Sequence, residues 1–174
     1  MGTRLFNTRG VRTLLCAAAF AGLLPLSAAA QSPVAADDSG AGSVWWSEMV
    51  SANPERSRDF YASVIGWTPK VVAADDTTRP PAPGEDEYTL FLQDGDESAG
   101  LAKYDGTDPG SPRPGWLTYI QVKNVDKSVA QAISKGGKIL KAPADVDGVG
   151  RLAIVQDPYG NSVGLVTPEP EPGH

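Results

Sequence analysis

The residue best placed to do chemistry is Glu48. In the segment Trp45-Trp46-Ser47-Glu48-Met49-Val50, strand-like alternation puts Trp46, Glu48 and Val50 on one face and Trp45, Ser47 and Met49 on the other. A carboxylate set against aromatic rings loses hydration, which raises its pKa and suits a general base or an anchor for a cationic group. The structural alternative is a carboxylate satisfied by Arg151, by a tyrosine hydroxyl or by backbone donors.

Other chemistries lack their residues. The one histidine, His174, ends a proline-rich tail, and the one cysteine, Cys16, falls within an apolar leader, so neither a serine triad nor a cysteine nucleophile is supported. Asp145-x-Asp147 has the start of a calcium loop, with Gly150 at the sixth position. Val149 at the fifth and Gln156 at the twelfth break the pattern, which leaves a turn between strands. Gly148-x-Gly150 lacks the third glycine and the strand-to-helix setting of a dinucleotide site.

The first 30 residues read as a secretory signal peptide. Arg4, Arg9 and Arg12 precede an apolar run from Leu14 to Leu26, and Ala28-Ala29-Ala30 offers a cleavage site before Gln31. The run is shorter than the roughly 20 residues a membrane span needs, and no later stretch qualifies, so an exported protein, periplasmic or secreted, is expected with no membrane attachment after cleavage. Beyond Ala30 stand 21 acidic residues and 12 basic ones, a net charge of −9. That balance repels nucleic acid, and no basic stripe offsets it. The 144 residues that follow Ala30 suit one compact domain.

The elements that must position Glu48 follow from local signals. Residues 31–43 read as a flexible spacer, and 44–50 as a strand. Asn53 caps a helix that starts at Pro54, carries Phe60, Tyr61, Val64 and Ile65 as its apolar face and ends at Gly66. A strand over 68–73, a mobile surface loop over 74–87, and strands 88–93 and 98–103 around Asp94-Gly95-Asp96-Glu97 complete a first unit. After a linker, 104–115, the pattern restarts. A strand over 116–122 leads to a helix capped by Asp126, with Val129 and Ile133 inward and Gly136-Gly137 at its end. Strands 138–142, 151–156 and 162–167 follow, the last two joined by the turn Asp157-Pro158-Tyr159-Gly160, and 169–174 form a disordered tail. Both units read β-α-β-β-β, and Ser98-Ala99-Gly100-Leu101 mirrors Ser162-Val163-Gly164-Leu165.

Several of these residues together resemble a known family. Trp46-x-Glu48-Met49, Asn53-Pro54, Phe60-Tyr61, Ala99-Gly100-Leu101, Trp116-x-x-Tyr119, Val125-Asp126, Gly148-Val149-Gly150-Arg151 and Asp157-Pro158-x-Gly160-Asn161 are similar to the vicinal oxygen chelate superfamily of glyoxalases, bleomycin-resistance proteins and extradiol dioxygenases. The resemblance spans 44–168 and implies an α+β fold. Two βαβββ modules, 44–103 and 116–167, would form a curled mixed sheet around a shared cleft, in a family where homodimers and exchanged modules are common.

Family enzymes hold a divalent metal with His and Glu side chains from the first and last strands of each module. The resemblance places those positions on Trp46, Gly100, Leu117 and Gly164, none of which can ligate a metal. It therefore implies no metal and no other cofactor. It also pairs Glu48 with Tyr119 across the modules and adds Tyr88 and Trp116 as aromatic walls. The expected function is binding of a small organic molecule by Trp46, Glu48, Tyr88, Trp116 and Tyr119. A glyoxalase-like lyase or isomerase with Glu48 as its base, or a dioxygenase-like enzyme with a rebuilt metal site, is the alternative.

Overall fold

The computed structural model describes residues 40–169. Residues 1–30, expected to be a signal peptide, positions 31–39 of the expected spacer and the residues from 170 onward, His174 included, lie outside the described residues.

Strand β1 (Val44–Ser51) leads through Asn53 into helix α1 (Pro54–Ile65), then β2 (Thr68–Ala73), β3 (Glu87–Gln93) and β4 (Asp96–Lys103). After the linker come β5 (Gly115–Gln121), α2 (Val125–Ser134), β6 (Lys138–Val146), β7 (Gly150–Gln156) and β8 (Ser162–Pro168). The strands form one mixed sheet in the order β2-β3-β4-β1-β5-β8-β7-β6, so each β-α-β-β-β unit keeps its own four strands and the first strands of the two units meet at the centre. β1 runs parallel to β4 and β5 parallel to β8, while β1 and β5 are antiparallel. The pairs Trp46–Tyr119 and Glu48–Leu117 flank Ser47–Thr118, as a pseudo-twofold axis through that last pair requires.

Local chemistry explains the element ends. The Asn53 side chain accepts the Arg56 N–H at 3.1 Å, Pro54 takes the first turn where no donor is needed, and Gly66 closes α1 in the left-handed region at φ 86°. The β3–β4 hairpin turns on Asp94 and Gly95 alone, both at positive φ, the backbone of a two-residue type I′ turn, so β4 begins at Asp96 and takes in Asp96 and Glu97, both expected in the turn. At the β7–β8 turn, Asp157 Oδ1 accepts from the Tyr159 and Asn161 amides.

Four expectations change. The cap of α2 is Asn124, whose side chain accepts the Lys127 N–H at 2.8 Å, and Asp126 sits inside the first turn. β6 runs on past residue 142 to Val146, with Pro143 falling at a register shift of this edge strand, where proline is tolerated. The expected apolar face of α1 is not buried: no residue of the helix is, and Phe60 and Val64 are 57% and 64% exposed. Tyr61 packs on the sheet, where with Trp67 it meets Met49, Phe91, Ala99 and Leu101, and the Ser57 hydroxyl meets that of Ser51 in β1 at 2.7 Å. In α2 Val129 is buried as expected and Val125 is buried with it, whereas Ile133, expected inward, is 46% exposed.

On the other face, Trp46, Val50, Tyr88, Leu90, Leu117, Tyr119, Leu152, Ile154 and Val166 belong to the main core, which draws on both units. Trp45 joins the same core because a register shift between Val44 and Trp46 breaks the alternation at the start of β1.

Candidate functional site

Two rows of side chains cross the centre of the sheet. In one, Glu48 of β1 lies beside Gly100 of β4 and Leu117 of β5; in the other, Tyr119 of β5 lies beside Trp46 of β1 and Gly164 of β8. Glu48 and Tyr119 are therefore equivalent in the two units, and both are fully buried.

The two glycines decide what fills this region. A Cβ on Gly100 would fall on the Tyr88 hydroxyl and close to Trp46 Nε1, and a Cβ on Gly164 would fall on the Tyr119 ring. Trp46 Nε1 donates to the Tyr88 hydroxyl at 3.3 Å, and that hydroxyl donates to Glu48 Oε2 at 3.0 Å. A tyrosine hydroxyl thus meets the buried carboxylate, which is one of the structural partners the sequence allowed. Arg151, another of them, is engaged elsewhere, by Asp126 at 2.6 Å and Asp145 at 3.0 Å. Its hydrogen bonds hold the Asp126 carboxyl below the usual carboxylate range.

Of the five residues expected at the site, Trp46, Glu48, Tyr88 and Tyr119 come together in or against one core. Trp116 does not. It alternates with the buried Leu117 and so faces the helix side, 45% exposed, with its ring centroid 5.3 Å from Tyr61 and 6.3 Å from Trp67.

Beside Glu48 and Tyr88 a cavity of about 380 Å³ opens over the first unit. Val50, Ala102 and Tyr104 give it apolar walls. Two segments without regular structure close over it: the loop between β2 and β3, and the linker, which contributes Asp105, Asp108 and Pro112; Lys141 of β6 completes the wall.

The β2–β3 loop, expected to be a mobile surface loop, carries a network of ion pairs and hydrogen bonds. Arg79 at its centre meets Asp75 at 2.9 Å, Asp76 at 3.3 Å and Glu85 at 2.5 Å, while Glu85 also accepts the Ala82 N–H at 2.7 Å. Backbone bonds from Ala73 to Arg79 O and from Ala74 to Asp86 O fasten it to the sheet. Hydrogen bonds from Arg79 and Ala82 bring the Glu85 carboxyl down to about 2. In the linker, Asp105 Oδ1 accepts from the Thr107 hydroxyl and amide, which hold its carboxyl low as well. The acidic pairs in the loop hinted at charge, but no local signal showed that they would converge with the linker and with Lys141 from the other unit.

The four positions assigned to metal ligands by the family resemblance do not fit a metal. Trp46, Gly100, Leu117 and Gly164 offer no metal-binding atom, and aromatic side chains occupy the space over both glycines. Among the described residues no three His, Cys, Asp or Glu side chains are grouped to hold an ion.

The fold and site together define a two-module α+β domain built around a cleft. The family model of the Glyoxalase/Bleomycin resistance protein/Dioxygenase superfamily matches residues 46–165, and the chain belongs to that superfamily. It is 29% identical over 120 residues to a Mycobacterium tuberculosis protein named "Putative glyoxylase CFP32", covering 69% of this chain and 43% of that one. It is 30% identical over 126 residues to the "Anthracycline biosynthesis protein DnrV" of Streptomyces peucetius, covering 66% of this chain and 43% of the relative. The chain thus spans less than half the length of these curated relatives. A solved superfamily member from Vibrio splendidus 12B01 aligns with a TM-score of 0.42 at 18% identity, over 69% of this chain and 94% of that one.

Proposed function

We propose that the protein is an exported, metal-independent member of the superfamily that binds a small organic molecule in the cavity beside Glu48. The observation that carries this reading is the exchange at the two glycines. Where the resemblance calls for metal ligands, Tyr88, Trp46 and Tyr119 fill the space, while an open volume of about 380 Å³ remains next to a buried carboxylate. A pocket of that size with apolar walls and a few polar groups has the make-up of a small-molecule site.

Metal analysis of protein purified without a histidine tag tests the first half: less than one-tenth equivalent is expected, on the order of adventitious loading, and stoichiometric Zn, Ni, Mn or Fe overturns it. Export rests on the first 30 residues, and mass spectrometry of protein recovered outside the cytoplasm should find Gln31 at its N-terminus.

A second reading, a lyase or isomerase with Glu48 as base, is favoured by one contact. The Tyr88 hydroxyl holds one oxygen of Glu48 in place at the cavity edge, as a positioned base requires. The glyoxylase named among the relatives points the same way. Glu48→Gln separates the two: a binding module keeps its ligand with altered affinity, whereas an enzyme loses turnover by at least about 100-fold.

A further inference from the structure

We propose that this cavity selects an organic cation, a compact apolar or aromatic body bearing an amine, amidinium or quaternary nitrogen. The inference rests on the reading of the cavity as a binding site and adds the chemical class of its occupant.

The charge around the cavity is lopsided. The loop supplies Asp75, Glu85 and Asp86, the start of β3 supplies Glu87, and the linker supplies Asp105 and Asp108. Even with Glu48 set aside, these six carboxylates face three cations: Lys103, Lys141 and Arg79. The cations are partly spent, since Arg79 also pairs with Asp76, and Lys141 meets Asp108 at 3.6 Å. A concave surface with a surplus of one sign and low-dielectric walls focuses that field on whatever enters.

Most of the carboxylates already have a partner of their own. Asp75 and Glu85 are fixed by Arg79, Asp105 by Thr107, and Asp108 by Lys141 and the Gly110 amide. Among the described residues they do not converge into a three-ligand metal site, so the field is diffuse and suits a charge spread over a larger group. The walls supply the rest. Val50, Ala102 and Pro112 give apolar contact, and Tyr88 and Tyr104 add aromatic side chains, a residue type that attracts delocalised cations. Glu48 adds an acidic group at the inner end, positioned by the Tyr88 hydroxyl and shielded from water.

Three probes of one shape and different charge test this on the full exported chain: benzamidine, benzamide and benzoate, followed by NMR shifts and calorimetric titration. Benzamidine should bind about tenfold more tightly than benzamide, a difference that shrinks as salt is added, and benzoate should bind least. The double variant Asp86→Asn/Glu87→Gln changes two exposed rim residues and should weaken benzamidine about threefold while leaving benzamide unchanged. Glu48→Gln, checked for folding by circular dichroism, should weaken benzamidine further. Equal binding of all three probes, a preference for benzoate, or no response to the rim variant overturns the cation assignment and leaves the binding site standing. If no probe of any charge perturbs cavity residues at millimolar concentration, the site and the cation assignment both fall.

Discussion

The two modules are built on one plan and used differently. Glu48 and Tyr119 occupy the same place in the two units, each beside a glycine of the parallel neighbouring strand. In the second module the large ring of Tyr119 covers Gly164 and completes a packed core. In the first, a smaller carboxylate leaves Gly100 to be covered by the tip of Tyr88, and a cavity remains under the loop and linker. The helices differ in parallel: α2 buries Val125 and Val129, whereas α1 buries nothing completely. The second module is a buttress, and the first carries the adaptable surface. A duplicated fold can keep one copy for stability and free the other, because the central β1–β5 pairing holds both in register.

The strongest challenge to this contrast is to exchange the equivalent residues. Tyr119→Ala should cost roughly 3–5 kcal/mol in urea unfolding, the range for emptying a buried aromatic site. Glu48→Gln should cost less than about 1 kcal/mol, since the amide keeps the shape and can still accept from Tyr88. Comparable losses would make Glu48 a structural residue and erase the distinction.

The glycines give the next largest effect. Gly164→Ala drives a methyl into a locked ring and should cost about 1–3 kcal/mol. Gly100→Ala meets chiefly the far end of Tyr88, which borders the cavity and can yield, with Trp46 Nε1 next at 3.1 Å, so its cost should be smaller. The reverse order would show that Tyr88 is held as firmly as Tyr119.

Helix caps sharpen the comparison further. Asn124→Ala should lower global stability by about 1 kcal/mol, because α2 is coupled to the core through Val125 and Val129. Asn53→Ala should appear mainly as faster hydrogen exchange within α1, with a smaller change in Tm.

The last effect is local and set by pH. Arg79 depresses the folded pKa of Glu85 to about 2, below its ordinary unfolded value. The contribution of the pair is therefore fully present above that ordinary value and is lost as pH falls toward about 2. Amide exchange in 74–86 should accelerate over that window, and Arg79→Gln should produce the same acceleration at neutral pH. An unchanged loop in the variant would mean that backbone bonds alone hold it.

Much of the fold was legible because its signals are local. Asn53-Pro54, Gly66, Asp94-Gly95 and Asp157-Pro158-Tyr159-Gly160 each fix their own backbone, and the likeness of Ser98–Leu101 to Ser162–Leu165 correctly marked equivalent strands. The site was legible only in part. Alternation placed Trp46 and Glu48 together, but the same rule applied to β5 sends Trp116 away from Tyr119, and treating both as cleft residues overlooked the odd spacing between them.

The sequence by itself determined the repeated βαβββ order, the superfamily and the absence of ligating side chains at the four expected metal positions, since each depends on residue identity at a fixed place along the chain. Only the tertiary structure decided that Tyr88 and Tyr119 fill the space over Gly100 and Gly164, that Arg79 gathers three carboxylates into a fixed wall, and that a cavity remains beside Glu48 and Tyr88. Those outcomes depend on side chains from distant segments competing for the same volume and the same charges, and that competition exists only once the sheet has brought them together.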